Sequence, residues 1–254
     1  MKEKLVDKLL EYLINEDERL ENLDIPSNYI EKRNLLRGII NIRSPRPTSD
    51  DILKLEDQLL QLELQEKKVT DVSEFEAKEN CIALWQGDIT TLKIDAIVNP
   101  GNSALLGCFI PNHSCLDNQI HTSAGIRLRL ACNDIMKGKE EETGKAEITE
   151  AYNLPCNYVI HTVGPMITDK VTEKEKQELA SCYKSCLDLA KEKNIKIIAF
   201  PTVSTGVFHF PQDLASQIAV STVRKYIKEN PNTFDKIIFD VYSEEDWNYY
   251  DRLF

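Results

Sequence analysis

The sequence predicts an α/β protein: a three-layer α/β/α domain preceded by a small helical extension. Three observations carry that prediction. From Cys81 onward, short β-branched runs alternate with amphipathic helices. Several of these runs are apolar on both faces, as strands are when helices cover both sides of a sheet. Residues 1 to about 70, in contrast, contain no Cys, His or Trp and show only helical periodicity. The alternation also directs attention to the strand ends, where open α/β sheets place their ligands.

The first helix reads from "KLVDKLLEYLI", where Leu5, Leu9, Tyr12 and Leu13 recur at helical spacing. "SNYIEKRNLLRGIINI" repeats the pattern with Ile30, Leu35, Leu36, Ile39 and Ile40. Two prolines in "RSPRPTSDD" break the chain, and Thr48 or Ser49 caps a third helix carrying Ile52, Leu55, Leu59 and Leu62. These apolar positions keep no heptad, so the helices read as a cap packed on the main domain rather than a free coiled coil. The charged stretch "QEKKVTDVSEFEAKEN" joins the parts, and the chain divides into residues 1–75 and 76–254. Strands follow in "CIALWQ", "DAIVNP", "AEITEAY", "YVIHTV", "KIIAFPTV" and "KIIFDVY". Helices lie between them in "SAGIRLRLACNDIM", "EKEKQELASCYKSCLDLAKEKN" and "PQDLASQIAVSTVRKYIKEN".

The 254 residues are 42% hydrophobic and 29% charged, ordinary values for a globular protein. No apolar run approaches the roughly 18 to 20 residues that span a bilayer. The acidic first segment lacks a signal-peptide core, so the expected location is the cytoplasm, with no membrane partner. Seven cysteines, an odd number, then read as reduced thiols rather than a disulfide framework. A net charge of −11 argues against nucleic acid as a partner. Any anionic ligand must be held by local donors such as backbone amides.

Three stretches could carry chemistry. In "KIIAFPTVSTGVFHFPQDLA" a strand runs into Ser204, Thr205, Gly206, Val207 and Phe208, and a helix begins near Pro211. A small turn there can present N–H groups to an anion, though it is neither a Walker loop nor a GxGxxG turn. In "WQGDITTLKIDAIVNPGNSALLG", Asp88 either caps a turn or accepts from an adenine amine. Asn99 and Asn102 are either turn formers or ligands for a sugar hydroxyl. In "GCFIPNHSCLDNQIH", Cys108, His113 and Cys115 form C-x4-H-x-C, which matches no zinc finger. Two readings compete for that trio: small buried residues meeting by chance, or two thiolates and an imidazole holding zinc with one coordination position open. Cys81, Cys132, Cys182 and Cys186 read as packing residues.

Taken together, residues 80 to 245 resemble a macrodomain, the ADP-ribose-binding module. The resemblance rests on "GDIT", "AIVNPGNSALLG", "IHTSAG", "TGKAEITEAYNLP", "YVIHTVGP" and "IAFPTVSTGVFHFP", in the family's order. It is closest to the MacroD-type hydrolases, and within them to a bacterial zinc-containing branch with a helical N-terminal extension. "CFIPNHSC" replaces the family's glycine-rich run, while Asp117 and His121 fall where its aspartate and histidine sit. "VNPGN" stands for the usual "VNAAN" and "GVFHFP" for "GVFGYP"; His209 reads as a solvent-facing loop residue.

This resemblance implies a mixed central sheet and one Zn²⁺ per chain on Cys108, His113 and Cys115. It implies that Asp88 and Ile89 hold the adenine end, and that Ser204, Thr205, Gly206, Val207 and Phe208 wrap the diphosphate. Asn102 would bind the distal ribose beside Leu116 and Asp117, with Asn102 and Asp117 the catalytic pair. The implied activity is hydrolysis of mono-ADP-ribose from Asp or Glu side chains of a modified protein, releasing ADP-ribose. The implied client is a lipoyl-carrier protein modified by a sirtuin-like transferase. A non-catalytic ADP-ribose reader and an O-acetyl-ADP-ribose deacetylase are the rival readings.

Overall fold

The computed structural model describes residues 1–254. The N-terminal extension forms α1 (Lys2–Asn15), α2 (Tyr29–Ile42) and α3 (Asp50–Glu66). Leu5, Val6, Leu9, Leu10 and Leu13 of α1 bury against Leu36 and Ile39 of α2 and Leu59 of α3, a core separate from the rest. Ser49 occupies the cap position of α3 without a side-chain bond. The Thr48 hydroxyl instead accepts from Arg43 Nη2 at 2.8 Å, so neither candidate cap residue caps by its side chain.

The remaining chain carries nine strands: β1 (Thr70–Asp71), β2 (Ala77–Glu79), β3 (Ile82–Gln86), β4 (Leu92–Lys93), β5 (Ala96–Gly101), β6 (Ala146–Glu150), β7 (Tyr158–Val163), β8 (Ile197–Phe200) and β9 (Lys236–Val241). Short β1 and β4 pair with each other, and the other seven form one sheet in the order β2-β3-β9-β8-β5-β7-β6. Its five inner strands are parallel, while β2 and β6 run antiparallel at the edges. The sheet is therefore mixed, as expected. Val72 and Phe75 already belong to this domain's core, and the Phe75 ring stacks on Trp85 at 5.5 Å.

The period-two pattern of the strands sorts residues between two cores. Ile82, Leu84, Ala96, Val98, Ile237 and Phe239 face α6 (Glu173–Glu192) and α7 (Gln212–Glu229). Their neighbours Ala83, Ile97, Ala199 and Ile238 face α4 (Leu116–Ala124) and α5 (Ile126–Met136). A last helix, α8 (Glu244–Asp251), joins the first of these cores through Tyr250. The stretch read as one helix from Ser123 to Met136 is in fact the end of α4 and all of α5. Gly125, at φ 93°, separates them.

Gly125 is also where the extension grips the domain. A side chain there would meet the Glu56 carboxylate at 2.9 Å. Glu56, on α3, instead accepts from Ile126 N–H at 2.8 Å and supplies the missing cap of α5. Asn153 reinforces the seam, donating to Asp57 Oδ1 at 2.8 Å and to Ala124 O at 3.1 Å.

Burial pushes the Glu56 carboxyl up from 4.5 to about 7, against the opposing pull of the Ile126 N–H. The nearby cations are taken, since Arg43 pairs with Glu16 and Arg33 with Glu63, each at 2.6 Å. Below about pH 4.5 the group is protonated whether the chain is folded or not. Between that value and about pH 7 only the folded chain keeps the proton, so stability falls as pH rises through this window. The decline is on the order of 3 kcal/mol. Glu56→Gln cannot titrate and should remove this decline, so the difference between denaturant midpoints of variant and wild type should change between about pH 4.5 and pH 7. Parallel midpoints would show that Glu56 ionises freely in the folded chain.

Candidate active site and metal centre

The five parallel strands end on one edge of the sheet, and the candidate residues gather there. Strand β5 delivers Asn99 and Gly101 to this edge, and α4 begins beside it with Cys115 as its first cap and Asp117 in its first turn. Asp117 is buried. Its Oδ1 accepts from Asn99 Nδ2 at 2.8 Å. The same Asn99 amide reaches His161 Nδ1 at 3.2 Å, and His161 Nε2 lies 2.9 Å from Thr149 Oγ1. Asn99 must donate to both neighbours, so His161 carries its proton on Nε2 and donates to Thr149. Burial holds His161 neutral by lowering its pKa to about 4. A chain of four side chains thus fixes the Asp117 carboxylate in one orientation.

Desolvation pushes the Asp117 carboxyl up to about 6, with the Asn99 amide and then the Arg129 charge working against it. It remains an acceptor at neutral pH and is a stronger base than an exposed aspartate. His121 stands one helical turn away, its Nε2 3.6 Å from Asp117 Oδ1, and neither ring nitrogen has a partner within the protein. A side chain at Gly107, which has φ 79°, would strike this ring at 2.8 Å. Glycine there lets the loop backbone close over His121.

Asn102 supports the same loop. Its Nδ2 donates to Gly107 O and its Oδ1 accepts from Ala104 N–H, both at 3.1 Å. One amide hydrogen and one lone pair of Asn102 are left for a ligand.

The loop then brings Cys108, His113 and Cys115 together, with all ligand atoms within 4.8 Å of one another. Cys108 Sγ lies 3.7 Å from His113 Nδ1. Burial first, and after it the Cys108 sulfur, push the Cys115 thiol up, while the Asn118 N–H pulls it down. The Cys115 thiol resists ionising until a cation neutralises it, and two sulfurs with an imidazole make a donor set that fits a divalent soft-to-borderline metal. Leu116 and Asp117 follow immediately on the same helix. His121, Cys132 and His161 form a second group with ligand atoms within 4.8 Å. It is fully buried beneath Asp117, and its His161 nitrogens are spent on Asn99 and Thr149. It forms the floor of the site.

Beside β5, the turn after the neighbouring strand β8 holds Ser204 at φ 66°, with its hydroxyl packed against Gly164. The carbonyls of Ser204, Gly206 and Phe208 accept from Phe210, His209 and Ile167 N–H at 3.0, 3.0 and 2.8 Å. None of the Thr205, Gly206, Val207 and Phe208 N–H groups donates to a backbone carbonyl. The turn therefore keeps its acceptors inside and leaves a run of donors free, an anion-binding arrangement. His209 is exposed at φ 56°, as expected of a loop residue.

Asp88 does cap a turn: its Oδ1 accepts from Thr90 N–H at 3.0 Å and Thr90 Oγ1 at 2.6 Å. Its Oδ2 accepts from Lys67 Nζ at 3.5 Å, and the Asp88 side chain is 41% exposed, so this oxygen stays accessible to a ligand. The Ile89 side chain is in the core, and only its backbone can contact a ligand. Tyr242, 85% exposed just after β9, has its carbonyl bonded by Gln86 Nε2 at 3.0 Å, two residues before Asp88, and strand patterning alone did not single it out. His161 was also missed as a site residue, and Asn99 was read as a turn former or a sugar ligand rather than as the partner of Asp117, although each is a polar residue inside an otherwise apolar strand run. That is the signal that could have found them.

The chain is similar to known proteins along most of its length. The Macro domain family matches residues 98–219. A protein-ADP-ribose hydrolase of Treponema medium is 45% identical over 251 residues, covering 96% of each chain. One from Staphylococcus aureus (strain MRSA252) is 47% identical, covering 96% of this chain and 94% of its own. Among solved structures, the Trypanosoma brucei macrodomain in complex with ADP-ribose superposes with TM-score 0.66 at 28% identity, covering 85% of this chain and 94% of its own. The Oceanobacillus iheyensis macrodomain with ADP does so with TM-score 0.61 at 34% identity, covering 70% of this chain and 91% of its own.

Proposed function

Because this chain belongs to the macrodomain family, matching its protein-ADP-ribose hydrolases along nearly its whole length, we propose that it releases mono-ADP-ribose from Asp or Glu side chains of modified proteins. The observation that carries this reading is the pairing of a buried, oriented carboxylate at Asp117, held at the end of β5, with a turn of free N–H donors after the neighbouring strand β8. The donors of Thr205 to Phe208 bind the diphosphate, which lets a chain of net charge −11 hold a dianion. The open oxygen of Asp88 and the ring of Tyr242 receive the adenine. Asn102 offers its remaining amide hydrogen to the distal ribose.

Hydrolysis then breaks the bond between C1″ of that ribose and the ester oxygen. A water oxygen bonds to C1″, its proton passes to Asp117, and the bonding pair leaves on the released carboxylate. The transition state is oxocarbenium-like, so a fixed negative charge beside C1″ stabilises it as well. Cys108, His113 and Cys115 would hold one zinc ion, which supplies an electrophilic contact for a ribose hydroxyl or water. The client implied by the resemblance is a lipoyl-carrier protein modified by a sirtuin-like transferase.

The test is to offer the protein two substrates, one mono-ADP-ribosylated on carboxylates and one on arginines, and to follow free ADP-ribose. Release is expected from the carboxylate-linked substrate alone. Gly206→Glu is the companion variant. No atom lies within 4 Å of where its side chain would begin, so the fold should persist while bulk and like charge exclude the diphosphate. Calorimetry should find ADP-ribose binding lost at unchanged melting temperature. Wild-type affinity in that variant would place the diphosphate elsewhere.

A further inference from the structure

We infer that helix α2 of the N-terminal extension is a structural arm of the metal loop, with Arg37 and Asn41 as positioning residues for its ligands. This rests on the metal reading above. The loop from Gly107 to Cys115 has no regular secondary structure, so its backbone groups need partners from elsewhere. Helix α2 supplies them. Arg37 Nη2 donates to the carbonyl of His113, itself a ligand, and to Asn118 Oδ1, both at 2.8 Å. The Asn118 amide, so oriented, donates back to Ile110 O at 3.1 Å and Cys108 O at 3.4 Å. One turn along, Asn41 Oδ1 accepts from Asn112 N–H at 2.9 Å.

The approach is close. A side chain at Gly38, between those two residues, would stand 3.2 Å from Asn112 Nδ2 and 3.6 Å from Pro111 Cβ. The start of the loop is tied to the same helix through Arg129. Its Nη1 donates to Ile40 O and Arg43 O, at 2.8 and 2.6 Å, at the C-terminal end of α2. Its Nε donates to Leu106 O at 2.7 Å, and the guanidinium lies 4.5 Å from the Phe109 ring. Both flanks of the ligand trio are therefore registered against α2. Arg37 forms no ion pair, so its charge also faces the thiols uncancelled.

The experiment measures zinc affinity of the full chain by competition with a chromophoric chelator, and the visible spectrum of the cobalt-loaded protein. Arg37→Met and Asn41→Leu should each weaken zinc by about 10- to 100-fold and alter the cobalt bands, as loss of outer-shell support does. Arg37→Lys keeps the charge but replaces the planar guanidinium with a shorter, more strongly hydrated ammonium, so it should rescue only in part; it also stands in should Arg37→Met not fold. Arg33→Met is the control, since it breaks the Arg33–Glu63 pair on the same helix without touching the loop. It should lower melting temperature and leave zinc affinity unchanged. Wild-type zinc affinity and cobalt spectra in both Arg37→Met and Asn41→Leu would overturn the inference, as would an equal loss in Arg33→Met. A wild type that binds no zinc at all would instead overturn the metal reading itself.

Discussion

Asp117→Asn should lower release of ADP-ribose from a carboxylate-linked protein by about 10²- to 10⁴-fold, the usual contribution of a positioned general base. ADP-ribose affinity should stay close to wild type. The substitution is nearly isosteric, and the new amide oxygen can still accept from Asn99 Nδ2, so the buried chain through His161 and Thr149 survives. The donors proposed for the diphosphate lie on the separate turn from Thr205 to Phe208 and are untouched. The effect should therefore fall on kcat, with little change in KM, as for an interaction realised only in the transition state. A matching loss of affinity would mean that Asp117 holds ligand rather than water.

Loss of the metal should have the second-largest effect. Cys108→Ala or Cys115→Ala leaves two residues of the trio, and freshly purified variants should lack the one equivalent of zinc expected in wild type. Turnover should fall well beyond tenfold. The accompanying changes separate two roles. The loop has its own supports from α2 and Arg129, so stripping zinc should lower melting temperature little and turnover much. Melting temperature, ADP-ribose affinity and turnover falling together would identify a purely structural ion. Elemental analysis finding no zinc in wild type would end the metal assignment.

Much of this architecture was legible because it follows from periodicity. The alternation that sends Ile82, Leu84, Ile237 and Phe239 to one core and Ala83 and Ile238 to the other is visible in the strand runs. The break at Gly125 was not, because "SAGIRLRLACNDIM" keeps helical spacing across it. The chain turns there at Gly125, φ 93°, and the partner that fills the space beside it and caps α5 is Glu56, 70 residues before Ile126. The ligand trio stood out by composition, and the free N–H run by its place after a strand. The roles of Asn99, His161 and Thr149 arise from strand register, which pairs Asn99 with His161 and Thr149 with Val159 across neighbouring strands. No local window shows such pairings. The extension was legible as a packed cap, but its contacts with the metal loop depend on Arg37 and Asn41 meeting a segment more than 70 residues on.

The central claim is that this site directs water to C1″ of a protein-bound ADP-ribose. It is tested most directly by running the wild-type reaction in heavy-oxygen water on a carboxylate-linked substrate and weighing the released acceptor peptide. Cleavage at C1″ predicts free ADP-ribose and an acceptor carboxylate that retains both of its original oxygens. A heavy oxygen in that carboxylate would place the attack at the ester carbonyl, and tight binding without any release would make the protein a reader of the modification instead.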